Sequence, residues 1–240
     1  GKDNIVFHCI IFPMMLMEHG DYILPSNVPA NEFMNLEGEK ISTSKNWAVW
    51  LHEYMDEFPN QQDVLRYVLT SNAPESKDSD FTWKDFQAKN NNELVASYGN
   101  YINRVFVLCH KFFNGNIPSK GRFNKDEDKL LNSIIDIRDK IEKSIEKFKF
   151  REALTFLMDL SRIGNKYLTD TEPWKIIKED KERVGTILNV SMQVVCNIAI
   201  LSSPFLPFTS DKIFKLLNVK PKIWNDVDKE ILKSGHKINK

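Results

Sequence analysis

Cysteine is scarce. Cys9, Cys109 and Cys196 are the only three in 240 residues, far apart and without C-x-x-C spacing. An odd, sparse set excludes a disulfide framework and fits a reduced, cytoplasmic protein. The five histidines are scattered and show no metal-ligand spacing, so no metal site is expected. Charge of one sign is lacking too: 33 Lys plus Arg balance 33 Asp plus Glu. That balance argues against polyanion binding driven by bulk electrostatics, and any nucleic-acid role must rest on a few placed contacts. No uninterrupted apolar run approaches the ~18–20 residues of a membrane helix, so no membrane partner is expected. Repeats and low-complexity tracts are missing. What is there is ordinary: 42% apolar and 28% charged residues, a composition that excludes disorder and collagen-like sequence.

Neutrality conceals a division. Residues 1–120 hold 10 basic and 15 acidic residues, a net of −5, and residues 121–240 hold 23 and 18, a net of +5. A split of this kind suggests two units with different tasks. The chain opens almost directly on Ile5-Val6-Phe7-His8-Cys9-Ile10-Ile11-Phe12, an apolar run that reads as a short buried strand end leading into a helix. Such an opening reads as a piece of a longer chain. Phe33 to Ile41 reads as a β-hairpin with Gly38 at its turn. Val64, Leu65, Val68 and Leu69 mark a short amphipathic helix, and Ser79 to Phe86 a strand or loop entering another.

The rest reads as a helical bundle. Leu94, Tyr98, Tyr101, Ile102, Val105, Leu108, Cys109 and Phe112 mark one long helix. A second runs through Leu130, Ile134, Ile137, Ile141, Ile145 and Phe148. A third runs through Ala153, Phe156, Leu157, Leu160, Ile163 and Tyr167. Val184 to Leu201 is apolar almost all round, which predicts a central helix. A last helix spans about 210–217, and the charged tail beyond Asn218 is expected to pack loosely.

Four constellations have suitable chemistry. In Gly38-Glu39-Lys40-Ile41-Ser42-Thr43-Ser44-Lys45 two lysines flank three hydroxyl residues, a set able to cradle phosphate, although a solvated loop has the same composition. Phe7, His8 and Phe12 fit either core packing or an apolar ligand pocket. Asn100 and Arg104, spaced i, i+4, share one side of a helix. They project away from its apolar stripe with Glu93 and Ser97, and suit base-edge and phosphate contacts as well as a solvated face. Thr171-Glu172-Pro173-Trp174 reads as a helix start, with Trp174 either a core anchor or a stacking platform for a base. Arg66 reads as a structural ion-pair residue, and the Lys143-Lys147-Lys149-Arg151 cluster as a solvated face.

Lys40-Ile41-Ser42-Thr43-Ser44 resembles the K-M-S-K-S signature loop of class I aminoacyl-tRNA synthetases. Gly1-Lys2-Asp3-Asn4-Ile5-Val6-Phe7-His8 resembles the G-K-D-I-x-x-F-H segment that precedes that loop in methionyl-tRNA synthetases. Asp63-Val64-Leu65-Arg66-Tyr67, Asp78-Ser79-Asp80-Phe81 and Asn92-Glu93-Leu94-Val95 continue the likeness in order, over about residues 1–217. The resemblance implies a mainly α chain: an α-helical anticodon-binding bundle (89–218) preceded by a connector of the stem-contact type (46–88). A small α/β remnant of a Rossmann-type catalytic domain (1–45) would stand before it, and a tail (219–240) would follow. It implies that Lys40, Lys45, Ser42 and Ser44 serve catalysis, Lys45 compensating for Thr43 at the usual lysine position. It assigns Phe7, His8 and Phe12 to a methionine pocket, and Asn100, Arg104, Pro173 and Trp174 to the anticodon CAU.

The implied partners are tRNA(Met), methionine and ATP with Mg2+. No H-I-G-H-type motif and no cysteine-rich zinc insertion occurs in these residues, so zinc would belong to a preceding part and this chain alone should not form adenylate. Two rival readings are another class I aminoacyl-tRNA synthetase and a non-catalytic helical RNA-binding module. The Asn100, Arg104, Pro173, Trp174 set argues against the first. The lysine-flanked loop argues against the second.

Overall fold

The computed structural model describes residues 1–240. Its opening is helical, where a strand was expected. A 3-10 turn (Lys2–Asn4) and a π-helical turn (Phe7–Ile11) run into α1 (Phe12–His19). An apolar run without alternation has no strand period, and its backbone groups are satisfied within the helix itself. Pro13 lacks an N–H and crowds the carbonyl four residues back, which suits the widened turn just before it.

The hairpin forms as expected. β1 (Met34–Leu36) pairs antiparallel with β2 (Glu39–Lys40), and Glu37 and Gly38 between them both have positive φ. Two left-handed residues make the turn that matches strand twist. α2 (Leu51–Glu57) and α3 (Gln62–Ser71) follow. β3 (Ser79–Phe81) then returns to pair parallel with β1, giving the order β2-β1-β3. Thr82 caps α4 (Trp83–Lys89) by accepting a bond from the Asp85 N–H at 3.1 Å.

The helix continues through a π-helical stretch (Asn90–Gly99) into α5 (Asn100–Phe113). Then come α6 (Lys125–Glu146), α7 (Phe150–Thr171), the short α8 (Pro173–Ile176), α9 (Lys181–Ser202) and α10 (Pro207–Leu217). The architecture is thus mainly helical with one small sheet. From Val184 to Ser202 every residue of α9 is buried. This helix is long and apolar enough to cross a membrane, yet the bundle surrounds it completely. Its amides serve the loops packed on it. Asn189 Nδ2 donates to the Pro118 carbonyl at 2.8 Å, and Asn197 Oδ1 accepts from the Asp228 N–H at 2.8 Å.

Several expectations need correction. Phe148 and Ile163 do not lie in the core. Phe148 sits in the turn between α6 and α7 with a left-handed φ of 58°, and both side chains are exposed. The tail is not loose, because Val227, Leu232 and Ile238 are buried. Its backbone is bound as well: the Ile117 N–H donates to His236 O at 2.8 Å and the Ile238 N–H to Gly115 O at 2.9 Å. Single apolar anchors among charged residues have no period, so spacing could not reveal them. Arg66 forms no ion pair. Its guanidinium donates to the Phe205 and Pro204 carbonyls, each at 3.0 Å, and ties α3 to the α9–α10 junction. From the same helix the Asp63 carboxylate accepts the Thr209 N–H at 2.6 Å, in the first turn of α10. Burial pushes the Cys109 and Cys196 thiols up to about 11 and about 12, so both stay protonated.

One ion pair ties three helices. The fully buried Glu127 carboxylate takes both Arg183 nitrogens, at 2.7 and 2.9 Å, the Asn124 N–H at 2.9 Å and the Tyr167 hydroxyl. A second join is steric. A Cβ on Gly164 would lie 2.4 Å from Cζ of the buried Tyr101 ring, so only glycine lets α5 and α7 approach this closely. Gly164→Ala is expected to destabilise the fold by about 1–3 kcal/mol through overpacking. Urea unfolding checks this, and an unchanged midpoint would refute it.

Candidate functional site

Two sets of side chains stand out, one beside the sheet and one in the bundle. The first is the loop after the hairpin. Ser42 and Trp47 exchange backbone hydrogen bonds at 2.9 Å in both directions, closing a tight loop over Thr43, Ser44, Lys45 and Asn46. Trp47 Nε1 anchors it by donating to Leu36 O at 3.0 Å, and Trp50 Nε1 donates to Asn46 Oδ1 at 2.9 Å. Ser42 Oγ and Ser44 Oγ lie 3.2 Å apart. Lys40 and Lys45 are exposed, and Lys40 Nζ sits 5.2 Å from the centre of the Phe33 ring. The loop thus carries two exposed lysines and two neighbouring hydroxyls on a pinned base, groups of the kind that bind phosphate oxygens.

The residues that hold this base were not among the expected site residues. Asp80 accepts the Gly38 N–H on both oxygens, at 2.9 and 3.0 Å. Asp78 accepts the Phe33 N–H at 3.0 Å and pairs with Lys2 at 2.9 Å. The Lys2 ammonium holds the Asp78 carboxyl below its usual range. Two acids flanking a strand residue, in Asp78-Ser79-Asp80, were the available signal.

Phe7, His8 and Phe12 meet on the opening helix. The Phe7 and Phe12 rings stack at 6.3 Å, the Phe7 and His8 rings meet edge-on at 5.4 Å, and His8 Nδ1 lies 3.0 Å from Asn4 O. No residue of 1–24 is buried, and Phe7 and Phe12 are exposed. The rings therefore form a cluster on an uncovered helix, not the lining of an enclosed pocket.

The second set draws on helices far apart in sequence. Asn100 and Arg104 do share one side of α5, but that side is not free. Asn100 Nδ2 and Arg104 Nη1 both donate to Asn165 Oδ1 on α7, each at 3.2 Å. Asn165 Nδ2 in turn donates to Ser97 O at 2.9 Å. Glu93, expected on the same solvated face, instead accepts the Tyr67 hydroxyl of α3. Trp174 sits in the first turn of α8, half-exposed, with the Arg104 guanidinium 5.4 Å from its ring centre. Pro173 is buried, so its part is to start that turn and not to touch a ligand. Glu172 precedes it with a φ of 42°, ending α7 and redirecting the chain so that Trp174 faces α5. Asn165 was missed. Two poor helix formers in succession, Gly164-Asn165 inside a helix, were the signal for it.

The lysine cluster at 143–151 splits. Lys143, Lys147 and Lys149 are exposed, and the Arg151 N–H is capped by Glu75 Oε1 at 2.9 Å. No group of three or more His, Cys, Asp or Glu side chains is placed to hold a metal.

Comparison with known proteins matches two family models along the chain, and the first of them extends past Asn100 and Arg104. Residues 1–106 match the family described as tRNA synthetases class I (M). Residues 117–239 match the family described as the anticodon binding domain of methionyl tRNA ligase. A methionine–tRNA ligase of Cytophaga hutchinsonii is 60% identical over 239 residues, 99% of this chain and 35% of its own length. Another, of Christiangramia forsetii, is 65% identical over 218 residues, 91% of this chain and 32% of its own. The chain thus spans about a third of the length of these curated relatives. A solved structure of Mycobacterium tuberculosis methionyl-tRNA synthetase in complex with methionyl-adenylate superposes with a TM-score of 0.89 at 26% identity, over 99% of this chain and 47% of that one.

Proposed function

The chain belongs to the methionine–tRNA ligase family, and on that premise we propose that it is the anticodon-reading and loop-bearing part of a cytoplasmic enzyme that charges tRNA(Met). In this reading residues 1–45 close the catalytic domain, 46–88 connect it to the bundle, and the bundle reads CAU. The observation that carries it is the gathering of Asn100 and Arg104 of α5 with a half-exposed Trp174 of α8. Guanidinium and amide groups address base edges and phosphate, while the indole offers a face for an unpaired base. Base stacking on an aromatic contributes ~1–3 kcal/mol. Trp174→Ala in the full-length enzyme is therefore expected to weaken tRNA(Met) binding by about 5- to 150-fold. Filter binding measures it, and unchanged affinity would overturn the stacking role.

The hairpin loop serves the chemical step. Methionine carboxylate attacks the α-phosphorus of ATP, and pyrophosphate leaves. Lys40 and Lys45 face the charge that grows on the leaving pyrophosphate, while Ser42 and Ser44 hold its oxygens. The magnesium ion of this reaction arrives with the nucleotide. Phe7, His8 and Phe12 supply one wall of the methionine site. Aromatic edges suit a thioether, and the exposed apolar surface of residues 5–24 is where the remaining catalytic domain packs.

A further inference from the structure

Between the two anticodon side chains of α5 and the body of the bundle stands Asn165. We infer that it is a positioning residue for anticodon reading, which sets Asn100 and Arg104 before RNA arrives; the inference rests on the anticodon reading above. Its amide has only one orientation that satisfies every neighbour. Asn100 and Arg104 both offer donors, so they face Oδ1, and the Ser97 carbonyl only accepts, so it faces Nδ2. One side chain therefore fixes two others and is itself fixed by the backbone.

The location supports this role. Asn165 follows Gly164, where the missing side chain leaves room for the Tyr101 ring of α5. A side chain there spans the gap between helices without needing a long, mobile stem. Asn100 is exposed and Arg104 half-buried, so without Asn165 both would sample several rotamers. Ordering them on RNA binding would then weaken the complex. With Asn165, Asn100 keeps its amide oxygen and one N–H unengaged, and Arg104 keeps four of its five donors for RNA or for the Trp174 face. Arg104 also touches both Asn165 and Trp174, so the three recognition side chains form one coupled unit.

The test is a coupling cycle in the full-length enzyme, read as aminoacylation of tRNA(Met), with methionine-dependent ATP–pyrophosphate exchange as the measure of an intact catalytic domain. Asn165→Ala is expected to raise KM for tRNA about tenfold, with kcat and the exchange rate unchanged. In an Asn100→Ala/Arg104→Ala background the same change is expected to add less than about twofold, because its targets are gone. A purely structural role would cost as much in either background, and that result would overturn the proposal, as would an unchanged KM. Where Asn165→Ala unfolds the enzyme, Asn165→Asp decides by the same comparison: it retains an acceptor for Asn100 and Arg104, adds a negative charge beside Arg104, and replaces the donor to Ser97 by an acceptor. The expected result is then a KM within about threefold of wild type; a larger rise that persists in the double-alanine background counts against. Failure of the underlying reading looks different: Asn100→Ala/Arg104→Ala would itself leave KM unchanged.

Discussion

Glu127→Gln is expected to destabilise the bundle by about 3 kcal/mol, the lower end of the ~3–5 kcal/mol for breaking a buried ion pair from one side. The lower end applies because Arg183 keeps 23% of its side chain exposed and can recover some hydration, whereas Glu127 has none. The change keeps the shape of the side chain, so the loss reports the charge and its hydrogen bonds and not a cavity. Three elements depend on that carboxylate: the start of α6 through the Asn124 N–H, α7 through Tyr167, and α9 through Arg183. The pH dependence has a definite sign. Burial alone would raise the Glu127 pKa, but the Arg183 guanidinium and the other donors outweigh it and hold the carboxyl below its ordinary value. A depressed folded pKa contributes stability that is fully present above the unfolded value of about 4.3. It is lost as pH falls through the folded value. Urea unfolding of wild type and Glu127→Gln at pH 7 and below pH 4 checks both points. The gap between the two proteins should narrow in acid; a gap that stays constant would refute the assignment.

Lys40→Ala in the full-length ligase is expected to slow adenylate formation by about 10²–10³-fold, the usual cost of removing one preorganised partner of transition-state charge. The effect should fall on kcat of ATP–pyrophosphate exchange and leave KM for ATP nearly unchanged, because the charge it faces grows only as pyrophosphate departs. Lys40 is suited to this by its seat. It ends β2, the hairpin turn is held by Asp80, and the Phe33 ring backs its ammonium. Lys45 is exposed in the same loop, and on the proposed reading the two ammonium groups share the load, so Lys45→Ala is expected to slow the same step. Equal rates for Lys40→Ala and wild type would remove the loop from the chemistry.

Much of this was legible from residue order. The hairpin followed from Gly38 at its turn, and α9 from the nearly all-round apolar stretch Val184 to Leu201. The cluster around Trp174 was legible only as separate pieces. What spacing could not supply was the partners of Asn165: Gly164-Asn165 marks an unusual point of α7, but nothing along the chain says that α5 packs there. The opening segment misled because an apolar run without a period does not distinguish helix from strand. Its exposed surface gives no internal cue in either direction. The tail misled for the opposite reason: three isolated apolar residues were enough to bind it, and charge dominated its composition. The 5-4-residue logic of caps and periods reads local structure well. Carboxylates such as Asp80 and Glu127 act across long separations, and their partners emerge only once the helices are stacked.

The parallel pairing of β1 with β3 carries a consequence for the order of assembly. Met34 finds its partner at Ser79, and α2 and α3 lie between them. A parallel partner requires a crossover, so the strand cannot be completed by its own hairpin. On the ribosome the loop after the hairpin emerges well before the strand and the acids that brace it. Its geometry is set only when Ser79 to Phe81 follows, just ahead of the helix that leads into the bundle. Chain elongation past that point therefore braces the hairpin and starts the helices of the bundle together, and a chain arrested before it would carry Lys40 to Lys45 without the support of Asp80.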